Sequence, residues 1–200
     1  MLISFEGIDG SGKSTQIALL EEYLIEKGLN VCVYREPGGV QISEKIRDLL
    51  LNSKVDIHPV SEMLLFSAAR AQLVAEKVIP DLKVGKVVIL DRFYDSTTAY
   101  QGYGRGNLSL DYIHDINKIA SLNCEPDITI YLKLTWEESK LRTADKQKDR
   151  MEKAGEKFFN RVIQGFDYLA NKHSRFAVID ADSSVNNIHQ EIIKNVEVLL

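Results

Sequence analysis

Glycine, lysine and hydroxyl side chains are concentrated in the stretch GIDGSGKST, which spans residues 7–15. The spacing of Gly7, Gly12, Lys13 and Ser14 is that of a phosphate-binding loop. Glycines permit tight turns in which successive N–H groups converge on an anion, and a following helix adds the positive end of its dipole. In such a loop Lys13 reaches the outer phosphates of a nucleotide and the Ser14 hydroxyl ligates Mg²⁺. The predicted nucleotide-binding residues are Gly7, Ile8, Asp9, Gly10, Ser11, Gly12, Lys13, Ser14 and Thr15.

A carboxylate and an arginine follow a second apolar segment. Val87–Leu90 is typical of a buried strand, and Asp91 and Arg92 come directly after it. An aspartate in this position helps to hold hydrated Mg²⁺ in loop-type nucleoside triphosphatases, so Asp91 is the predicted metal partner of Ser14. Arg92 would lie at the carboxyl edge of a parallel sheet, where ligands bind, and its planar guanidinium suits phosphate oxygens. An ion pair with a nearby acid is the alternative role for Arg92.

Three further segments have the composition of a second binding site, which a kinase needs and a nucleotide-hydrolysing switch does not. Phe66 and Arg70 are four residues apart in a predicted helix and therefore share a face, where they could stack on a planar base and hydrogen-bond its carbonyl. Taken singly, Phe66 is more often a core residue and Arg70 a surface charge. The pair Arg35-Glu36 ends another predicted strand, and residues 96–101 are unusually polar.

The elements that would position these residues indicate an α/β fold. Short, continuous apolar segments predict strands covered on both faces, at Leu2–Phe5, Val31–Tyr34, Val87–Leu90, Ile128–Leu132 and Phe176–Ile179. Helical patterns separate them, so the sequence predicts a five-stranded, mainly parallel sheet flanked by helices, in one domain over residues 1–200.

Several helix boundaries can also be read from the sequence. Pro59 suits the first turn of a long helix that should end near Pro80, and Ser109 suits an N-cap. Thr135 and Glu138 have the spacing of a capping box. A stripe of apolar residues predicts a C-terminal helix, with Val185, Ile188, Ile192, Val196 and Leu199 facing the core.

Composition is that of an ordinary globular protein, with 44% hydrophobic and 27% charged residues and a net charge of −4. This balance gives no indication of a nucleic-acid or membrane partner. The apolar segments are shorter than a membrane span, no signal peptide is evident, and Cys32 and Cys124 lack metal-type spacing. We therefore expect a cytoplasmic protein.

Five segments, in order over nearly the whole chain, resemble the bacterial-type thymidylate kinases, a family of P-loop nucleoside monophosphate kinases. They are FEGIDGSGKST, REPGG, LLFSAARAQ, DRFYDSTTAYQG and DRMEKAGEKFFNRV. The resemblance implies a three-layer P-loop fold with a short lid and the reaction ATP + dTMP → ADP + dTDP, with Mg²⁺, in dTTP biosynthesis. One departure is Val40, where the family commonly has threonine after REPGG.

The resemblance also implies roles for individual residues. Phe66 would stack on thymine while Arg70 bonds a pyrimidine carbonyl, and Tyr100 would crowd the sugar 2′ position and so favour deoxyribose. Arg92 would bridge the phosphates. Asp9 would lie near the acceptor sugar and phosphate or the metal, which makes it a third candidate metal ligand beside Ser14 and Asp91. The full implied acceptor-binding set is Asp9, Arg35, Glu36, Phe66, Arg70, Arg92, Ser96, Thr97, Tyr100 and Gln101.

A charged segment, RTADKQKDRME at residues 142–152, is either a solvated helix or a lid. The glycine-rich loop has no arginine of its own, although phosphoryl transfer needs cations against the moving group. In the bacterial-type branch the lid supplies the cation, and Arg150 is the first candidate, with Arg142, Lys146 and Lys148 as helpers. Lys13, Arg92, Arg150 and Asp9 thus form the predicted catalytic set.

Two other functions remain open at this level. A deoxynucleoside kinase of the same fold would need a carboxylate base, for which Glu36 is available. A nucleotide-dependent switch ATPase would be indifferent to dTMP. A homodimer is expected, because the family typically pairs through the helix with the apolar residues Met63, Leu64, Leu65, Leu73 and Val74.

Overall fold

The computed structural model describes residues 1–106, 108–145, 150–151 and 154–200. Within these ranges the centre is a parallel sheet of five strands in the order β2-β3-β1-β4-β5. The strands are β1 (Leu2–Glu6), β2 (Val31–Arg35), β3 (Val87–Asp91), β4 (Ile128–Lys133) and β5 (Phe176–Asp180). The predicted α/β architecture is confirmed.

Helices connect the strands and cover the sheet. They are α1 (Lys13–Glu26), α2 (Gln41–Asn52), α3 (Pro59–Leu73), α4 (Ile79–Lys83), α5 (Tyr94–Thr97), α6 (Leu110–Ala120), α7 (Trp136–Arg142), α8 (Glu156–Lys172) and α9 (Val185–Glu197). Two π-helical segments, Val74–Val78 and Thr98–Gly104, follow α3 and α5. The helix predicted from Pro59 therefore begins as expected, but its helical path continues through the first π-helical segment to Lys83.

Each strand ends one residue later than its apolar segment, and that extra residue is polar. The five end residues are Glu6, Arg35, Asp91, Lys133 and Asp180. Phe5 and Arg35 are both in register with Asp91, so the ends of the three strands β1, β2 and β3 meet at one edge of the sheet. Ligands of parallel α/β sheets bind at this carboxyl edge.

Side chains on the two faces of the sheet enter two hydrophobic clusters. Ile3 and Phe5 of β1 pack with residues from α1, α8 and α9, whereas Leu2 packs with the helical path through Leu73 and Val78. This alternation follows the two-residue period of a strand and produces three layers. Burial on both faces is confirmed for β1, β3 and β4, but the edge strands β2 and β5 are mostly half-buried.

Caps predicted from the sequence have the expected contacts. The Ser109 hydroxyl accepts the Asp111 N–H, and Thr135 and Glu138 form both halves of a capping box. The stripe of α9 is confirmed at Ile188, Ile192 and Val196, whereas Val185 and Leu199 are exposed. Among the described helices, none is long and apolar enough to cross a membrane.

Candidate active site

The glycine-rich loop joins β1 to α1 and depends on three glycines with positive φ. Gly7, Gly10 and Gly12 have φ of 138°, 82° and 89°, a region that strains residues with a Cβ. At Gly7 a Cβ would also lie 2.5 Å from the Leu132 carbonyl oxygen of β4. Gly12 is the N-cap of α1, so the positive end of this helix faces the loop. The loop thus has the backbone of an anion cradle.

Lys13 is buried, and its ammonium group lies against the backbone of the loop. Its Nζ donates to the Gly7 and Ile8 carbonyl oxygens, each at 3.1 Å, and only 7% of the residue is exposed. Burial, with the nearby Arg92 charge, lowers the pKa of Lys13 to about 8. Both of its acceptors are neutral carbonyl oxygens, which a bound phosphate would replace with charged oxygens.

A pocket opens above the loop, and we call it the loop pocket. Of the residues predicted to bind nucleotide or metal, it is lined by Asp9, Gly10, Gly12, Lys13, Ser14, Thr15, Asp91 and Arg92. Gly7 and Ile8 instead supply the carbonyls that hold Lys13, and the buried Ser11 hydroxyl has no hydrogen-bond partner among the described residues. The pocket therefore collects most of the predicted nucleotide site.

Oxygen donors in the loop pocket suit a hard cation. Ser14 is exposed at the start of α1, and the Asp91 and Asp9 carboxylates line the same pocket. Within the described ranges, no group of three or more His, Cys, Asp or Glu residues could hold a metal without other ligands. A hydroxyl and one or two carboxylates, completed by water and phosphate oxygens, are the donor set that Mg²⁺ prefers.

Arg92 is fixed in a strained backbone conformation beside the loop, with φ of 70°. Its guanidinium donates to the Gly7 carbonyl oxygen at 2.8 Å and to Asp9 Oδ1 at 2.8 Å. A longer bond of 3.3 Å reaches the Ser96 hydroxyl. The predicted alternative role, an ion pair with an acid, is thus also present, but the acid is a loop residue that belongs to the same site.

Glu6 stabilises this conformation and was not identified from the sequence. Its carboxylate accepts the Phe93 N–H at 2.8 Å and the Ser96 hydroxyl, and it is fully buried at the end of β1. Burial, with the nearby Asp95, raises the pKa of Glu6 to about 8. The only available sequence signal was an acid between an apolar strand and the glycine-rich loop.

A second pocket, the side pocket, lies on the other side of Arg92. Nine of the ten residues that the resemblance assigns to the acceptor line it, namely Asp9, Glu36, Phe66, Arg70, Arg92, Ser96, Thr97, Tyr100 and Gln101. Arg35 is the exception, because it lines the loop pocket and its guanidinium binds both carboxylate oxygens of Glu44, at 2.9 and 3.0 Å. The structure thus brings together residues from the loop after β1, from the segment after β2, from α3 and from the segment after β3.

A buried ion pair fixes the orientation of Arg70 in the side pocket. Arg70 Nε donates to Glu36 Oε2 at 2.7 Å, and both side chains are nearly inaccessible. Burial raises the pKa of Glu36 to about 6, although the Arg70 charge opposes this. The second Glu36 oxygen and the Tyr100 hydroxyl lack hydrogen-bond partners among the described residues. Buried polar atoms in this condition are candidates for bonds to a ligand.

The two pockets adjoin. Asp9, Glu36, Arg47 and Arg92 line both of them, so the walls of the two pockets meet at two guanidinium groups and two carboxylates. Arg47, on α2, was missed from the sequence because one arginine in an amphipathic surface helix has no distinctive spacing. An anion in one pocket and an anion in the other would both be close to cationic side chains.

Lid residues predicted from the sequence lie in different places. Arg142 donates to the Gly10 carbonyl oxygen at 3.4 Å, to the Ala181 carbonyl oxygen at 2.9 Å and to Asp182, and it lines the loop pocket. Arg150 lines neither pocket, and its guanidinium binds Glu62 and the Leu50 carbonyl oxygen. Lys146 and Lys148 lie outside the described residues.

A parallel sheet with a phosphate-binding loop after its first strand, and a second pocket that shares cationic residues with the loop, defines a nucleoside monophosphate kinase of the P-loop class. The model of the thymidylate kinase family matches residues 5–192. The chain belongs to the thymidylate kinase family.

Individual relatives agree with this assignment. Thymidylate kinase of Prosthecochloris aestuarii is 49% identical, over 98% of this chain and 92% of its own. Thymidylate kinase of Chlorobaculum tepidum is 48% identical, over 100% of this chain and 98% of its own. The crystal structure of thymidylate kinase from Ehrlichia chaffeensis superposes with a TM-score of 0.80 at 38% identity, with 98% of each chain covered.

Proposed function

We propose that the chain transfers the γ-phosphoryl group of ATP to dTMP, with Mg²⁺, and so forms ADP and dTDP for dTTP biosynthesis. The observation that carries the proposal is the position of Arg92. Its side chain lines both the loop pocket and the side pocket and is hydrogen-bonded to Gly7 and Asp9. A guanidinium in this position can bind both phosphate groups as they meet.

ATP would occupy the loop pocket. The loop N–H groups and the N-terminus of α1 would bind its phosphates, and Lys13 would exchange its two carbonyl acceptors for phosphate oxygens. We assign Ser14, Asp91 and Asp9 to Mg²⁺, which neutralises charge on the phosphates when it is bound.

Thymidylate would occupy the side pocket. Phe66 offers an apolar ring for the base, and Arg70 is held by Glu36 and the Phe93 carbonyl oxygen so that its guanidinium faces the same pocket. Tyr100 is packed among three phenylalanines, and a rigid ring there would oppose a 2′-hydroxyl. Ser96, Thr97 and Gln101 complete the wall.

Positioning and charge neutralisation would account for the chemistry, because the acceptor phosphate is already an anion. Among the described cations predicted to act in catalysis or in the lid, Lys13, Arg92 and Arg142 line the loop pocket. We propose that Arg142 takes the neutralising role predicted for Arg150, since Arg142 lines the loop pocket and contacts the loop directly, whereas Arg150 does neither.

A deoxynucleoside kinase is the less favoured candidate. Its carboxylate base would be Glu36, but that side chain is buried and paired with Arg70. The ion pair leaves Glu36 suited to orienting an arginine rather than to accepting a proton from a neutral hydroxyl.

We also propose a homodimer. Of the five apolar residues first considered, Met63, Leu73 and Val74 are buried within the chain and cannot contribute to an interface. Leu64 of α3 is exposed and stays a candidate. Helix α3 packs against both α2 and α6, whose exposed apolar side chains Leu49, Tyr112 and Ile119 would extend the interface. The cytoplasmic location stays a prediction.

A coupled ADP-release assay tests the proposed reaction. With ATP and Mg²⁺, we expect ADP release to depend on dTMP, and to be far slower with UMP or thymidine in its place. Dependence on thymidine alone would identify a nucleoside kinase. ADP release that is indifferent to every nucleotide acceptor would point to the switch ATPase.

A further inference from the structure

Glu62 is a fully buried carboxylate that the proposed chemistry does not use. It lies in the first turn of α3 with none of its side chain exposed. Gln101 Nε2 and Arg105 Nε each donate to its Oε1 at 3.1 Å, while Arg105 and Arg150 donate to its Oε2 at 2.9 and 2.5 Å. A buried charge is stable only when it is paired and hydrogen-bonded in this way.

The partners of Glu62 come from separate parts of the chain. Gln101 is in the π-helical segment Thr98–Gly104 and Arg105 follows it, whereas Arg150 comes from the end of the charged segment at residues 142–152. Arg150 also donates through Nε to the Leu50 carbonyl oxygen in α2 at 2.9 Å. One carboxylate therefore joins α3 to the π-helical segment and, through Arg150, to α2.

The cluster around Glu62 adjoins the wall of the side pocket through Gln101. Glu62, Phe66 and Arg70 are spaced by four residues, so they follow one another along a single face of α3, about 6 Å apart. Gln101 lines the side pocket itself, and Met151, the neighbour of Arg150, lines it as well. Part of the pocket wall thus consists of Phe66 and Arg70 of α3 and of Gln101, which Glu62 binds. Met151 is held indirectly, because its sulfur is contacted by Arg105 and Arg150, the two arginines that bind Glu62.

We propose that Glu62 is a positioning residue for the acceptor, and that Arg150 acts through Glu62 rather than on the transferred phosphoryl group. The inference rests on the proposed function, and it assigns the end of the predicted lid to acceptor binding. When Glu62 and Arg150 are paired, Gln101 and Met151 are held in the wall of the side pocket, and the pocket keeps the shape that binds the acceptor. When the pair is broken, the pocket loses that shape while the loop pocket stays intact.

The test compares the change in the KM for dTMP with the change in the KM for ATP in variants of the cluster. The variants are Glu62→Gln and Arg150→Ala, with Glu76→Gln as a matched control, because Glu76 is an exposed acid that binds only Gln72 among the described residues. We expect both variants to raise the KM for dTMP by about tenfold or more, which corresponds to at least about 1.4 kcal/mol. The KM for ATP and kcat should change by less than about threefold.

A double-variant cycle separates positioning from general loss of stability. If Arg150 acts through Glu62, the combined variant should bind dTMP no more weakly than the worse single variant, since each removes the same contact. Binding of dTMP without ATP, measured by calorimetry, gives the affinity directly. Arg150→Lys keeps the charge but cannot bind Glu62 and Leu50 together, so it should also weaken dTMP binding, even if Glu62→Gln does not fold.

Three results would overturn the inference. One is a fall in kcat in Arg150→Ala with an unchanged KM for dTMP, which would return Arg150 to the transferred group. Another is a lower melting temperature with unchanged dTMP affinity in every variant, which would make the cluster purely structural. The third is full additivity of the two single effects. Failure of the proposed function is distinguishable, because the unaltered protein would then not phosphorylate dTMP.

Discussion

Arg92 has an unfavourable backbone conformation that several hydrogen bonds stabilise. A positive φ is unfavourable for an arginine, yet the next N–H binds Glu6 and the Arg92 N–H binds the Phe5 carbonyl oxygen. The side chain then binds Gly7, Asp9 and Ser96. Such over-determined strain is typical of functional sites. It means that Ser96, predicted to contact the acceptor, also orients Arg92.

Replacement of Lys13 by alanine should separate catalysis from stability. We expect Lys13→Ala to lower turnover by about 100-fold or more, as when an electrostatic donor is removed from a transition state. The melting temperature should not fall, because burial disfavours the Lys13 charge, as its lowered pKa shows. Steady-state kinetics and thermal unfolding measure the two effects. Lys27→Ala, at an exposed lysine paired with Glu197, is the control, and similar losses in both variants would contradict the prediction.

Glu36 should make binding of the base depend on pH. Its pKa is raised to about 6, so the carboxylate is ionised above that pH and neutral below it. As the pH falls through 6, Arg70 loses its charged partner and the side pocket should bind the base less tightly. Binding of thymidine is the appropriate measurement, because thymidine lacks the phosphate group that itself ionises near pH 6.

The expected change follows from the fraction ionised. At pH 5, one unit below the pKa, the affinity for thymidine should be lower than at pH 7.5 by about tenfold. Glu36→Gln should abolish most of this dependence, because the amide does not titrate. A pH profile that is the same in Glu36→Gln and in the unaltered protein would assign the dependence to another group.

Most individual site residues were predictable, and the exceptions have physical reasons. Lys13 and the glycines were identified by spacing, and Phe66 and Arg70 by sharing a helix face with suitable chemistry. Arg47, Glu62 and Glu6 carry no local pattern, since their partners are distant in the chain. Arg35 and Arg150 were assigned to the site through the family resemblance, but sequence does not tell which acid pairs with an arginine, here Glu44 and Glu62.

Strands and helix ends were predictable where the signal lies in a few consecutive residues. Continuous apolar segments identified all five described strands, and Ser109 and Thr135 identified two helix starts. The π-helical segment Val74–Val78 was not predictable, because its extra residue per turn depends on packing. Val40 is the N-cap of α2 and makes no side-chain cap, so the departure from threonine removed the usual sequence signal.

Helix α7 offers a prediction at this scale. Thr135→Ala removes the hydroxyl that accepts the Glu138 N–H, so the free energy of unfolding should fall by about 1 kcal/mol. For a chain of this size, that is a fall in melting temperature of about 2–4 °C. Thr135→Ser keeps the hydroxyl and is the control. An equal fall in both variants would mean that the side chain acts through its methyl group.

At the scale of the whole molecule, the proposed dimer depends on apolar side chains that remain exposed in one chain. Leu64 is 50% exposed on α3, and Val198 is 83% exposed near the C-terminus. We expect sedimentation to give twice the chain mass of 22.6 kDa for the unaltered protein and for Val198→Glu. Leu64→Glu should give monomers, because burying an unpaired carboxylate at an interface is unfavourable. A monomeric unaltered protein would refute the dimer.

The bond between α7 and the loop has a consequence for the order of events during synthesis. Ser139 Oγ donates to the Asp9 carbonyl oxygen at 2.6 Å across 130 residues, and β1 lies between β3 and β4 in the sheet. A nascent chain that ends before β4 already contains every glycine of the loop. It lacks β4, one of the two strands that pair with β1, and the Ser139 hydroxyl that binds the Asp9 carbonyl oxygen. The part of the protein that leaves the ribosome first should therefore acquire affinity for ATP only after about two thirds of the chain has followed it.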